Sequence, residues 1–329
     1  MIGYYAHHRG AGHVHRALAV ASALGAGVTG LSTAAAPVGW SGPWIRLDDD
    51  ADALPDDPTA GGVLHWVPRH HDGLRSRMAT IARWLDAARP DLVVVDVSVE
   101  VALLCRLHGV PVVVVGQPGL RDDPPHATAY ALAEAVVAPW PDDVEDLLTG
   151  IDDADPRVHR VGAMSRFDGR PRVPTALDDD PRPVVTVLLG RGGHDLDAGR
   201  LAAAREATPG WRWVVVGEDA WVDDPWELLL TSDVVLTHAG QNAVAEVAAA
   251  RRPAVVVAQD RPHGEQDATA ALLRRAGRWP VVSLDDLPDD GWPELLALAG
   301  ALDGERWSTW NDGLGAQRFA DVIRSVARS

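Results

Sequence analysis

His238, Gly240, Asn242 and Glu246 stand in one short stretch, behind the apolar run Val234-Val235-Leu236 and at the head of an alanine-rich segment. An apolar run, a glycine turn and a helix start in that order gather free backbone N–H groups at one point. The positive end of the helix dipole lies behind them. Such a point holds an anion, most often a phosphate, through the amides from Gly240 to Ala243 (Gly240, Gln241, Asn242, Ala243). Glu246 follows Asn242 by about one helical turn, roughly 6 Å along the axis, where a carboxylate can accept hydrogen bonds from ribose hydroxyls. A second buried run, Ala254 to Ala258, is followed by Glu265 and Gln266, polar groups at the strand edge where open α/β sheets bind ligands. A strand, glycine and helix alone are common scaffold. Together with His238, Asn242, Glu246 and the distal Glu265-Gln266 pair they make a phosphate site the expectation.

A second unit of this kind opens the chain. Ile2 to Ala6 form an apolar run, His7-His8-Arg9-Gly10-Ala11-Gly12-His13 a glycine turn, and Val14, Leu18 and Ala21 line one helical face. His13 is the candidate general base, since an imidazole can take a proton close to neutrality. Asp96 ends the run Leu92-Val93-Val94-Val95; it either orients His13 or caps the helix that follows. His7, His8, His70 and His71 rank lower. The run Asp48-Asp49-Asp50 is expected to be a solvated loop and no metal site, because no His or Glu at ligand spacing accompanies it. Cys105, in an apolar helical stretch, is expected to fill core.

The elements that must hold these residues alternate. Helical patterns at 73–88, 101–107 and 127–134 are interleaved with apolar runs at 28–32, 92–95, 110–115 and 135–138, which predicts a parallel α/β sheet with right-handed crossovers. Residues 166–183, with four prolines and three consecutive aspartates, are expected to be an exposed linker. Val184 to Leu189 opens a second α/β domain, followed by a glycine turn with Gly192 and Gly193; Trp211 to Gly217 is its next strand. Trp221 and Val222 precede a helix at 225–230, where they contact a nucleobase or simply pack in a loop. Trp40, Trp44 and Trp66 belong to the edge of a core or to a wall facing an acceptor, and Gly12 and Gln117 are further acceptor-side candidates. The last helix, 314–327, carries Phe319, Val322, Ile323 and Val326 on one face that must be buried.

With 329 residues the chain favours two domains, and 47% apolar residues suffice for full burial. Its 30 cations, all arginine, against 47 acids leave a net charge of -17, which repels nucleic acid and anionic headgroups. One cysteine excludes an intrachain disulfide framework and fits a reducing compartment. No apolar run approaches about 18 residues and no basic-then-apolar leader is present, so a cytoplasmic protein without stable membrane insertion is expected.

The spacing His238-x-Gly240-x-Asn242-x-x-x-Glu246, then Pro253 and an acidic residue before Gln266, resembles the donor-binding box of inverting GT-B glycosyltransferases of family 1. The alanine-rich helix, the GEQ ending and the opening Gly10-x-Gly12-His13-x-x-Arg16 are similar to family 28. The resemblance implies two Rossmann-like parallel-sheet domains facing across a cleft: 1–165 for the acceptor, 166–310 for the donor, and a closing helix in 311–329 that returns to the first. It implies that His238 and the helix start hold a diphosphate, Glu246 the ribose, and Glu265-Gln266 the sugar. His13 and Asp96 become a catalytic dyad. The expected reaction is inverting and metal-independent, moving a sugar from a nucleotide diphosphate, a UDP-sugar, to a small-molecule hydroxyl, with no cofactor beyond this co-substrate. Two departures, a longer loop before Glu265 and Glu in place of the usual Asp, leave the sugar open.

Two other readings stand beside this one. A nucleotide-sugar hydrolase fits the same opening segment, with water in place of the acceptor, and a non-catalytic nucleotide-sugar-binding subunit needs only the donor box. A dinucleotide oxidoreductase fits poorly, because position 15 is His where a third glycine is required.

Overall fold

In a computed structural model of the chain, the structure describes residues 1–8, 10–25, 27–51, 54–174, 180–189, 196–217 and 222–328. These form two units, Met1–Gly162 with Leu314–Ser329, and Ala163–Gly313. No helix among the described residues is long and apolar enough to cross a membrane.

The first unit is built on β1 (Ile2–Ala6), α1 (Gly12–Leu24), β2 (Val28–Ser32), β3 (Trp44–Arg46), α2 (Asp72–Ala88) and β4 (Leu92–Asp96). It continues through α3 (Val99–Leu107), β5 (Val112–Val115), α4 (Pro124–Leu132), β6 (Ala135–Ala138) and β7 (Val158–Arg160). The strands make one sheet in the order β3-β2-β1-β4-β5-β6-β7, with every pairing parallel. β4 and β5 are buried along their whole length, as valine runs must be when helices cover both faces. Side chains start the helices: Ser98 accepts from Val101 N ahead of α3, and Asp123 accepts from His126 N ahead of α4. The Asp123 cap and Pro124 at the first helical position start α4 three residues before the apolar pattern does.

The second unit runs through β8 (Val184–Leu188), α5 (Ala198–Ala207), β9 (Arg212–Val216), α6 (Trp226–Thr231), β10 (Val234–His238) and α7 (Gln241–Ala250). Then come β11 (Ala254–Val257), α8 (Glu265–Ala276), β12 (Val281–Leu284) and α9 (Trp292–Gly300). Its parallel sheet has the order β12-β11-β10-β8-β9. The order reverses between β8 and β10, and ligands of such sheets bind outside the strand ends at that point. The same reversal lies between β1 and β4 in the first unit. Trp213 and Trp292 meet edge to face at 5.6 Å in the core of the second unit, among Val185, Leu236 and Val255.

The segment expected to be an exposed linker begins inside the second unit. Phe167 is 2% exposed and packs on Trp226 at 5.1 Å, with the Arg166 guanidinium over its ring. An aromatic side chain among prolines is enough to draw that stretch into a core; residues 175–179 lie outside the described residues. The closing helix α10 (Gly315–Val326) belongs to the first unit, burying Phe319 and Ile323, and Arg324 donates to the Ala23 carbonyl at the end of α1.

Gly3 lets α2 lie on the sheet: a Cβ there would meet the Trp84 ring at 2.5 Å and Val93 at 3.1 Å. Gly3→Ala is expected to destabilise the protein by about 1–3 kcal/mol through overpacking. Urea denaturation checks this, and an unchanged midpoint would show that Trp84 moves aside freely.

Candidate functional site

Ala6 pairs with Asp96 across β1 and β4, so the ends of both strands meet at one sheet edge, and α1 starts just beyond. Asp96 is fully buried. His13, in the first turn of α1, places Nδ1 2.9 Å from Asp96 Oδ1; Arg16 donates from Nη1 to both carboxylate oxygens at 2.8 and 3.1 Å; Tyr4 donates its hydroxyl at 3.2 Å. Ser98 caps α3, so Asp96 is not the cap of that helix. Burial by itself would push the Asp96 carboxyl up, but Arg16, His13 and Tyr4 together hold it below its ordinary value. It therefore stays an acceptor, and His13 Nδ1 carries the proton that faces it. Nε2 is left as the nitrogen able to take another, on a side chain 19% exposed.

The neighbouring imidazoles differ. His7 stacks on His8 at 4.7 Å, and burial, with His13, His8 and Arg77 adding to it, lowers it to about 3. It is neutral in any physiological medium. Val97, next after Asp96, has φ 65°, a left-handed conformation that is an outlier for a β-branched residue and marks stored strain beside the dyad. Cys105 is wholly buried and its thiol is pushed up to about 12 by desolvation, which makes it inert core.

On the acceptor side the candidates separate. Gln117 lines a cavity with Val97 and Ser98, and its buried Nε2 has no hydrogen-bond partner. The Trp66 indole N–H donates to the Asp50 carbonyl at 2.9 Å, which makes that ring part of the framework. Gly12 is the first residue of α1, whose start has no side-chain cap. The fold brings His8 within reach of Asp49 and Asp50, which sequence spacing could not show. Asp50, however, already pairs with buried Arg77, and that cation opposes a metal ion.

In the second unit His238 ends β10, 5% exposed, with Nδ1 3.4 Å from the Val257 carbonyl. Gly240 is the N-cap of α7, and no side chain caps the helix start. A Cβ on Gly240 would lie 3.7 Å from Gln266 Nε2, so the two ends of the predicted box do converge. Gln266 Oε1 accepts from Gln259 N at 3.0 Å. Glu265 and Gln266 are the first residues of α8, after the loop before Glu265; His263 and Gly264 at φ 63° and 61° turn the chain into it. Two helix N-termini thus border this edge. Gln241 and Ala243 are half-buried and Asn242 is exposed.

Glu246 is buried on α7, and Arg166 donates from Nε to its Oε1 at 2.7 Å while Arg166 Nη1 donates to the Asp223 carbonyl. Burial raises the Glu246 carboxyl above its ordinary value despite the opposing guanidinium. Val222 is exposed; Gly192, Gly193 and Trp221 lie outside the described residues. Sequence reasoning missed Arg166, which is 80 positions from its partner and carries no local signal. It gave Arg16 no role, although that residue follows His13 by three positions, one face of one helix.

Residues 220–294 match the Glycosyltransferase family 28 C-terminal domain. A UDP-N-acetylglucosamine--N-acetylmuramyl-(pentapeptide) pyrophosphoryl-undecaprenol N-acetylglucosamine transferase of Nocardioides sp. is 27% identical over 291 residues, covering 78% of this chain and 76% of that one. The structure of Acinetobacter baumannii MurG superposes with a TM-score of 0.62 at 18% identity, over 98% of this chain and 99% of that one. The glycotransferase of kitacinnamycin gives 0.70 at 20% identity, over 99% and 98%. The chain has the two-unit Rossmann-like GT-B fold and resembles glycosyltransferases of families 28 and 1, which makes a glycosyltransferase its enzyme class.

Arg16→Met removes the cation from a buried carboxylate and is expected to cost about 3–5 kcal/mol in urea denaturation, with much of it recovered in the double variant with Asp96→Asn. A cost below about 1 kcal/mol would show the pair to be dispensable. The carboxyl is lowered in the folded protein, so its contribution is complete above the unfolded value of 3.8 and drains away as pH falls through the lower folded value. Stability measured between about pH 5 and pH 2 should fall more steeply for the natural protein than for Asp96→Asn.

Proposed function

We propose that the chain is an inverting, metal-independent transferase that moves a sugar from a UDP-sugar to a hydroxyl of a small, water-soluble acceptor in the cytoplasm. The observation that carries this reading is the His13–Asp96 pair, with Arg16 locking the carboxylate. The acceptor hydroxyl gives its proton to His13 Nε2, and its oxygen forms the new bond to the anomeric carbon. The bond from that carbon to the diphosphate breaks, and the diphosphate leaves with the electron pair. Asp96 stabilises the imidazolium without taking the proton, because Arg16 keeps it ionised.

The second unit supplies the donor side. The start of α7 from Gly240 to Ala243, with His238 behind it, offers N–H groups and a dipole to the leaving diphosphate, the role a divalent cation plays elsewhere. Glu246, held in place by Arg166, accepts from the ribose hydroxyls, and Glu265 and Gln266 meet the sugar. The Nocardioides relative is named for a UDP-sugar and a lipid-linked acceptor. The surplus of 17 negative charges here opposes approach to anionic headgroups and favours an acceptor dissolved in water.

His13→Ala should lower turnover by about 10²- to 10⁴-fold while UDP binding, read by calorimetry, stays within a few fold. Unchanged turnover would overturn the base assignment. Glu246→Gln should weaken UDP binding by about 10- to 100-fold, the loss of hydrogen bonds to a charged acceptor. Equal affinity would remove Glu246 from the ribose site.

A further inference from the structure

A cavity of about 40 Å³ opens in the first unit where β4 and β5 end. Valines of β5 and of the turn after Asp96 make its apolar walls. Its polar lining is unusual in a chain so acidic, because it brings an amide, a guanidinium and a phenol together with no carboxylate among the lining residues. Gln117 Nε2 is buried without a partner. The Arg121 guanidinium, 5% exposed, is braced by the Pro118 carbonyl at 3.3 Å through Nε and Nη2, with Nη1 3.4 Å from His126 Nε2. His126 Nδ1 lies 2.7 Å from Asp123 Oδ2 and so carries the ring proton. Burial is the main cause that lowers this histidine to about 4, leaving the ring neutral with Nε2 toward Arg121. Tyr130 is 4% exposed, and burial keeps its phenol protonated.

A cation does not suit this place. His65, Asp123 and His126 come close enough to share one, but Arg121 faces the same imidazole, and Asp123 already accepts from both the backbone and the ring of His126. A carboxylate does suit it: it only accepts, it gives the unpartnered Gln117 amide an acceptor, and it lies beside the Arg121 charge. At about 10–15 Å³ for each water, the volume holds roughly three waters or one such group. The cavity begins at Val97, the residue after Asp96, so a molecule anchored there has its body against valines close to the carboxylate that holds His13.

We infer that the cavity seats a carboxylate of the acceptor, so that the substrates are hydroxy acids. This rests on the acceptor being handled by the first unit, as proposed above. The test is calorimetric titration of the full chain, without donor, with 4-hydroxybenzoate and with its methyl ester. The acid should bind at least about 10-fold tighter than the ester. Arg121→Gln and Gln117→Leu should each bring the acid to within about threefold of the ester. Should the Arg121 variant fail to fold, the Gln117 variant, checked by its melting temperature, decides. Equal binding of acid and ester, no binding of either, or undiminished preference in folded Gln117→Leu would overturn the inference. UDP binding and transfer to other acceptors, measured on the same samples, separate that failure from failure of the transferase reading.

Discussion

A full negative charge sits inside the first unit at the end of β4, and the arrangement around it follows from the need to keep it there. Removing a carboxylate from water costs several kcal/mol unless cations and donors surround it. Arg16, Tyr4 and His13 do so from β1 and α1, which lie beside Asp96 because β4 pairs with β1 where the sheet order reverses. Fixing Asp96 therefore also fixes the approach of α1, the tautomer of His13 and the strained turn at Val97.

The same pattern recurs elsewhere with other partners. Arg77 pairs with Asp50, and Arg166 with Glu246, each joining a carboxylate to a segment remote in sequence. Arginine suits these places because its planar fork stays charged and meets two oxygens at once, where a lysine would lose its proton or its geometry on burial. In a chain with so large an excess of acids, buried arginines select which carboxylates are held in place, while the rest remain solvated.

The fold was legible because its strands are valine runs and its helices start with caps or glycine turns, both local signals. The placing of the residues proposed for the donor was legible in part. His238, Gly240 and Gln266 converge as their order implied, since a strand end and the next strand's end share one edge. The helical start at Glu265 was hidden, because His263 and Gly264 turn into it through left-handed conformations that composition does not announce. Asp96 was ambiguous between two roles until Ser98 was seen to cap α3. Arg166 and the cavity beside Val97 had no sequence signature at all, because each joins residues that only the packed chain brings together.

The closing helix α10 gives the chain an order of assembly opposite to its order of synthesis. Residues 163–313 interrupt the first unit, so its helix α10 is synthesised after the whole of the second unit. Until then the face of α1 that receives α10 stays wet, and Arg324 has not reached Ala23. The unit bearing His13 begins first and finishes second: a nascent chain holds every strand of both sheets before it holds the helix that closes the first unit.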